Sequence, residues 1–164
     1  EVAKERDTRK VTERIAELIY TVLLRELGYA EDFDIAELEI ELEQEGKLDA
    51  FVEKCNEIYP DGWKKVRKGA QKVSRASRVL HEIDSDTYHT PDSWSHTQRS
   101  RESAITVKTV VERVFELTSR RLPGKAIVFI IDEVGQHVAR SGDKIEDLRA
   151  TVEEFGKEIG RAHV

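Results

Sequence analysis

The chain has 164 residues, 38% hydrophobic and 37% charged, with a formal net charge of −6. That supports one domain with a real core, excludes a disordered composition, and argues against a nucleic-acid binder acting through overall charge, while leaving a local basic face open. One cysteine, Cys55, excludes an internal disulfide framework or a cysteine metal cluster, and no apolar run nears the roughly 20 residues of a membrane span. A cytoplasmic protein is the expectation, with Cys55 as a small core residue rather than a reactive thiol.

The spacing of Val11, Ile15, Leu18, Ile19, Val22 and Leu23 predicts a long first helix with Gly28 as its stop. After a connector, Asp34 is placed to cap a second helix that turns Ile35, Leu38 and Leu42 inward and closes at Gly46. Glu37, Glu39, Glu41, Glu43 and Glu45 read as its solvated face rather than an acidic binding strip. Leu48, Phe51, Val52, Cys55 and Ile58 form a third amphipathic helix, which ends before the Pro60–Gly62 turn.

A fourth helix is expected from Trp63, with Trp63, Val66, Ala70, Val73 and Leu80 as its apolar stripe. Around that stripe crowd Lys64, Lys65, Arg67, Lys68, Lys72, Arg75 and Arg78, the densest charge cluster of the chain. Such a cluster is either a contact for phosphate backbone or an acidic partner, or a solvated face balancing the glutamates. From Glu82 to Arg101 no periodicity survives, so a long loop is expected. Its His89, His96, Asp84, Asp86 and Asp92 match no metal-ligand spacing, and Trp94 is either a contact point or an anchor onto the core.

Val107, Val110, Val111, Val114 and Leu117 predict a further helix ending at Arg120 and Arg121, where cations suit the dipole. Leu122, Pro123 and Gly124 turn the chain into an apolar run, Ala126 to Ile131, which reads as a strand buried on both faces. That strand, Lys125 to Glu133, ends in the acids Asp132 and Glu133. Beyond a loop from Gln136 to Gly142, Asp143 and Glu146 suggest a capping box for a last helix burying Ile145, Leu148, Val152 and Phe155.

An apolar strand followed by Asp and Glu is the Walker B pattern of P-loop NTPases. The pattern gives Asp132 the Mg²⁺ contact, through water, and Glu133 the role of base toward the attacking water. Gln136, one turn on, is placed to sense the phosphate or a neighbouring subunit. On spacing alone a structural role for the pair, as a helix cap or in a salt bridge, stands equally open. The phosphate-cradling G-x-x-x-x-G-K-[ST] motif is absent: Gly124 and Lys125 precede a strand and have no glycine five residues before them.

The run FIIDEVGQHVARSGDKIEDLRATVEEFGKE, together with the upstream stretches LGYAEDFDIAELEIELEQEGKLDAFVE and GWKKVRKGA, resembles the BrxC/PglY family, the large ATPases of BREX bacteriophage-exclusion systems. The likeness covers most of residues 20 to 158 and is most specific from Asp132 to Gln136. It departs at His137, where the family tends to have Tyr, and at Arg149, where it tends to have Gln. It implies an α/β fold: a partial P-loop NTPase core of AAA type, predominantly helical, with a buried Walker B strand and a helical insertion at about residues 30–100. Residues 1–158 would then be an internal piece of one ATPase domain, with helix, strand and helix over 103–158.

The resemblance implies ATP and Mg²⁺ as cofactors, Glu133 as the catalytic base and Asp132 as the metal-side acid. It also implies methyltransferase and phosphatase-like partners, DNA reached through the complex, no membrane, and a homo-oligomer. Without its phosphate loop, expected upstream of Glu1, the piece would not hydrolyse ATP alone. Rival readings are an NTPase of another defence or signalling family, and a non-catalytic helical module that binds a partner or DNA. Residues 159–164, IGRAHV, resemble a translated sequencing adapter or form an ordinary helix tail, and no function is placed on them.

Overall fold

The computed structural model describes residues 15–99, 106–128, 130 and 142–161. In chain order the helices are α1 (residues 15–26), α2 (Phe33–Gln44), α3 (Leu48–Ile58), α4 (Trp63–Val66), α5 (Lys72–Ile83), α6 (Ser93–Arg99), α7 (Val107–Arg121) and α8 (Gly142–Arg161). Among the described residues every regular element is an α-helix and there is no strand.

The α/β expectation is therefore corrected: the described fold is all-helical, and no P-loop core with a buried Walker B strand is found in it. Residues 125–128 and 130 carry no regular structure, and Val128 and Ile130 are 78% and 89% exposed, where a strand buried on both faces would hide them. The physical reason is pairing. An apolar β-branched run becomes a strand only when neighbouring strands take up its backbone hydrogen bonds. Among the described residues there is none to do so. Phe129 and residues 131–141 lie outside the described residues.

The chain divides into two compact units, Leu24–Ser103 on the one hand and Glu1–Leu23 with Ala104–Val164 on the other. In the first, α2, α3 and α5 pack on one another, with α4 against α3 and α6 against α5. Their shared core is Ile35, Leu38, Leu42, Phe51, Cys55, Trp63, Val66, Ala76, Val79, Leu80 and Trp94, with Ala30 at its edge. Phe51 and Trp63 meet edge to face, with ring centroids 4.8 Å apart, a geometry that adds about 0.5–1.5 kcal/mol to the area they bury.

Local chemistry sets the helix ends. Asp32, not the expected Asp34, caps α2: its backbone is extended and its carboxylate accepts the Ile35 N–H at 3.3 Å. Asp34 sits in the first turn instead, where a negative charge favours the dipole. The expected single helix from Trp63 to Leu80 is broken into α4 and α5 by a turn through residues 67–71. Gly69 weakens a helix there by about 1 kcal/mol relative to alanine, and Ala70, assigned to the apolar stripe, is exposed. The break lets Trp63 and Val66 enter the core independently of Ala76, Val79 and Leu80.

The expected loop from Glu82 to Arg101 is shorter than the sequence suggests, because α6 forms within it. Trp94 is buried in the core, and the Ser95 N–H donates to Ser77 Oγ at 3.1 Å. The choice left open for Trp94 thus resolves to an anchor.

In the other unit, Thr106 caps α7 by accepting the Thr109 N–H at 3.2 Å, and Val110, Val111, Val114 and Leu117 are buried. α8 packs on α7, with Phe115 and Phe155 rings 6.3 Å apart and Thr151 buried. Ile145 and Val152, expected inside, are exposed. The inward line runs instead through buried Thr151 and half-buried Leu148 and Phe155, an equally good helical spacing that a purely apolar count passes over. The same shift occurs in α1, where Ala16 and Tyr20 are buried while Leu18 and Val22 are exposed.

Candidate functional site

Asp132, Glu133 and Gln136, the residues to which the sequence gives nucleotide chemistry, lie outside the described residues. Among the described residues no group of three or more His, Cys, Asp or Glu side chains is placed to hold a metal ion. A shallow groove beside α3 is lined by Asp49, Val52, Glu53, Asn56 and Glu57. Three carboxylates there repel the phosphates of a nucleotide, and Asn56 is already engaged, its Oδ1 accepting the Trp63 N–H at 2.9 Å. This groove therefore does not suit the phosphates of ATP.

The most organised polar constellation is centred on Glu39, which the sequence reading put in solvent. It is only 3% exposed. Glu39 Oε2 accepts the Ala30 N–H at 2.6 Å, and Oε1 accepts both Trp63 Nε1–H at 2.7 Å and Arg67 Nη1–H at 3.0 Å. Arg67 Nη1 also donates to the Gly28 carbonyl at 3.1 Å, which closes the end of α1. One carboxylate thus ties the connector after α1, the indole of α4 and the turn after α4 to α2. Arg67 Nε is buried without a hydrogen-bond partner among the described residues, so the pair is imperfectly satisfied.

A signal for Glu39 was present in the sequence. It follows Ile35 by four residues and precedes Leu42 by three, which puts it on the buried stripe. A carboxylate there needs donors, and the guanidinium of Arg67 and the indole of Trp63 provide them. Nearby, Tyr29 OH donates to Glu43, so a second member of the presumed solvent row is also a packing group.

The basic cluster divides by use. Arg67 pairs with Glu39, Lys72 with Asp32 at 2.9 Å, and Arg75 lies over the Tyr59 ring at 5.0 Å. Lys65 meets Asp61 at 3.1 Å on the surface. Lys64, Lys68 and Arg78 are exposed and make no ion pair among the described residues. Of the loop residues, His89 Nδ1 lies 3.3 Å from the Ser85 carbonyl, and Asp84 accepts the Thr87 N–H at 3.0 Å, so both are spent on local turns. Hydrogen bonds from Thr87, and then the Lys47 ammonium, hold the Asp84 carboxyl below the usual range. Burial pushes the Cys55 thiol up to about 11, which keeps it protonated and unreactive.

Comparison with known protein families finds no match, and no solved structure matches the chain. No helix among the described residues is long and apolar enough to cross a membrane.

Proposed function

We propose that this chain is part of an ATP-hydrolysing protein of the BREX phage-exclusion type, working in the cytoplasm with methyltransferase and phosphatase-like partners. The observation that supports this reading is the run Asp132-Glu133-Val134-Gly135-Gln136 at the end of an apolar stretch and ahead of a long helix. In it Asp132 is the metal-side acid and Glu133 the base. The phosphate-cradling motif is not in this sequence, so the chain on its own is expected to be inactive.

The experiment is Glu133→Gln in a protein that carries this segment together with a phosphate-binding loop. ATPase turnover should fall by about 10²–10⁴-fold, the usual contribution of a positioned base. Retention of full activity would remove Glu133 from that role.

A second reading, a non-catalytic helical module, is favoured by the unit Leu24–Ser103. Its buried charges are consumed in packing, and its large apolar side chains are inside: the exposed large hydrophobics among the described residues all fall outside that unit. The two readings are compatible, with the helical unit serving as the non-catalytic part of the ATPase.

A further inference from the structure

Between Asp61 and Glu82 the chain has no Asp or Glu, although acidic residues outnumber basic ones overall by 33 to 27. The structure withdraws three of the seven cations in this stretch into packing: Arg67 onto Glu39, Lys72 onto Asp32, and Arg75 onto Tyr59. Four stay on the surface: Arg78, exposed on α5, and three lysines that lie close together in the chain. Lys64, Lys65 and Lys68 lie on α4 and the turn that continues it, held by hydrogen bonds from Arg67 N to Trp63 O at 2.9 Å and from Lys68 N to Lys65 O at 3.1 Å. All three are exposed, and the residues that follow, Gly69, Ala70 and Gln71, are exposed as well.

From this geometry we infer that Lys64, Lys65 and Lys68 form a sequence-independent contact for the phosphate backbone of duplex DNA. Lys64 and Lys65 stand on α4 and Lys68 in the turn directly after it, so their long flexible arms lie close enough in the chain to reach neighbouring phosphates. The small side chains of Gly69 and Ala70 let the backbone approach without obstruction. Lys65 is 76% exposed, and its single partner, Asp61, is itself a surface residue, so the ammonium is free to exchange that carboxylate for a phosphate.

An acidic protein surface is the other polyanion these lysines could meet, and the patch lacks what a protein interface requires. Trp63 and Val66, the large apolar residues of this segment, are buried, so no aromatic or aliphatic anchor is presented beside the lysines. Point charges without base-reading or apolar groups position a backbone and read no sequence.

The test is fluorescence anisotropy of a short random-sequence DNA duplex titrated with the whole chain over a salt series. Three phosphate contacts predict that log K falls with log salt at a slope of about −3. Lys64→Ala with Lys68→Ala should bring the slope near −1 and weaken binding at low salt by more than tenfold, while Lys64→Arg with Lys68→Arg keeps both. The control is Lys54→Ala with Lys157→Ala, an equal change of net charge elsewhere, which should bind as the parent does. Unchanged tryptophan emission verifies that the variants are folded. Absence of binding at low salt, equal losses in the control, or poly-glutamate competing as well as DNA charge for charge would each overturn the assignment.

Discussion

Removal of the Glu39 carboxylate is the most direct perturbation of the helical unit. In Glu39→Ala three donors lose their acceptor at once: the Ala30 N–H, the Trp63 indole N–H and the Arg67 guanidinium. Stranding one member of a buried ion pair costs about 3–5 kcal/mol. The low end applies, because the Arg67 side chain is 19% exposed and keeps the Gly28 carbonyl. A loss of about 3 kcal/mol is therefore expected.

Glu39→Gln is a finer probe. A glutamine oxygen left at the Oε1 position still serves Trp63 and Arg67, but its NH₂ then faces the Ala30 N–H, donor against donor. Flipping the amide satisfies Ala30 and turns the NH₂ on Trp63 and Arg67 instead. Neither orientation serves all three, so a cost of about 2 kcal/mol is expected although the shape is conserved. Replacing both partners, Glu39→Leu with Arg67→Leu, should recover only the part of the loss due to the stranded guanidinium, because the Ala30 N–H and the Trp63 indole N–H still lack an acceptor.

The assay is urea unfolding followed by tryptophan emission. Both tryptophans of the chain, Trp63 and Trp94, are core residues of Leu24–Ser103, so the signal reports that unit alone. A Glu39→Ala loss under about 1 kcal/mol, or strictly additive losses for Glu39→Ala and Arg67→Ala, would refute the claim that this pair holds the helices together.

Three further outcomes follow from the same geometry. Gly62→Ala should cost more than Gly46→Ala: both positions have positive φ (70° and 68°), but a Cβ at Gly62 would lie 2.9 Å from Asn56 Oδ1, the cap of the Trp63 N–H, whereas at Gly46 nothing lies within 4 Å. Urea midpoints of the two variants measure this, with about 1 kcal/mol of backbone strain expected at Gly46 and clearly more at Gly62. Cys55 should resist thiol reagents at pH 8 in the native chain and react at a rate set by unfolding, as labelling followed over time in increasing urea will show. Because the Asp84 carboxyl titrates lower folded than unfolded, its stabilisation is present above the unfolded value near pH 4 and is lost as the pH falls through the folded one. Asp84→Asn should therefore flatten part of the acid limb of a stability–pH curve and leave its neutral-to-basic side parallel to the parent's.

Helix existence was legible in the sequence because it rests on short-range periodicity: Phe51 and Cys55 in α3, and Val110, Val114 and Leu117 in α7, are buried where their spacing places them. The choice of face was less so. α1 and α8 each carry two overlapping stripes, and a count of aliphatic residues prefers Leu18 and Val22, or Ile145 and Val152, over the stripes that contain Tyr20 and Thr151. Which stripe is buried depends on the partner helix, and that information is non-local.

The same distinction separates Glu39 from Asp132 and Glu133. A carboxylate announces its role through the groups around it, and for Glu39 those groups come from Ala30, Trp63 and Arg67, up to 28 residues away. A row of alternating glutamates looks uniform in sequence, yet Glu39 is sealed in the core while Glu41 and Glu45 are exposed. For Asp132 and Glu133 the sequence supplies a pattern without that surrounding set of donors and cations. Their reading as a catalytic pair rests on the residues that must converge on them, a phosphate-binding loop above all. ATP- and magnesium-dependent hydrogen-exchange protection at Asp132 and Glu133, in a protein that joins this segment to a phosphate-binding loop, measures that convergence directly. Absence of new protection would separate the acidic pair from nucleotide chemistry and leave the helical unit as the functional part of the chain.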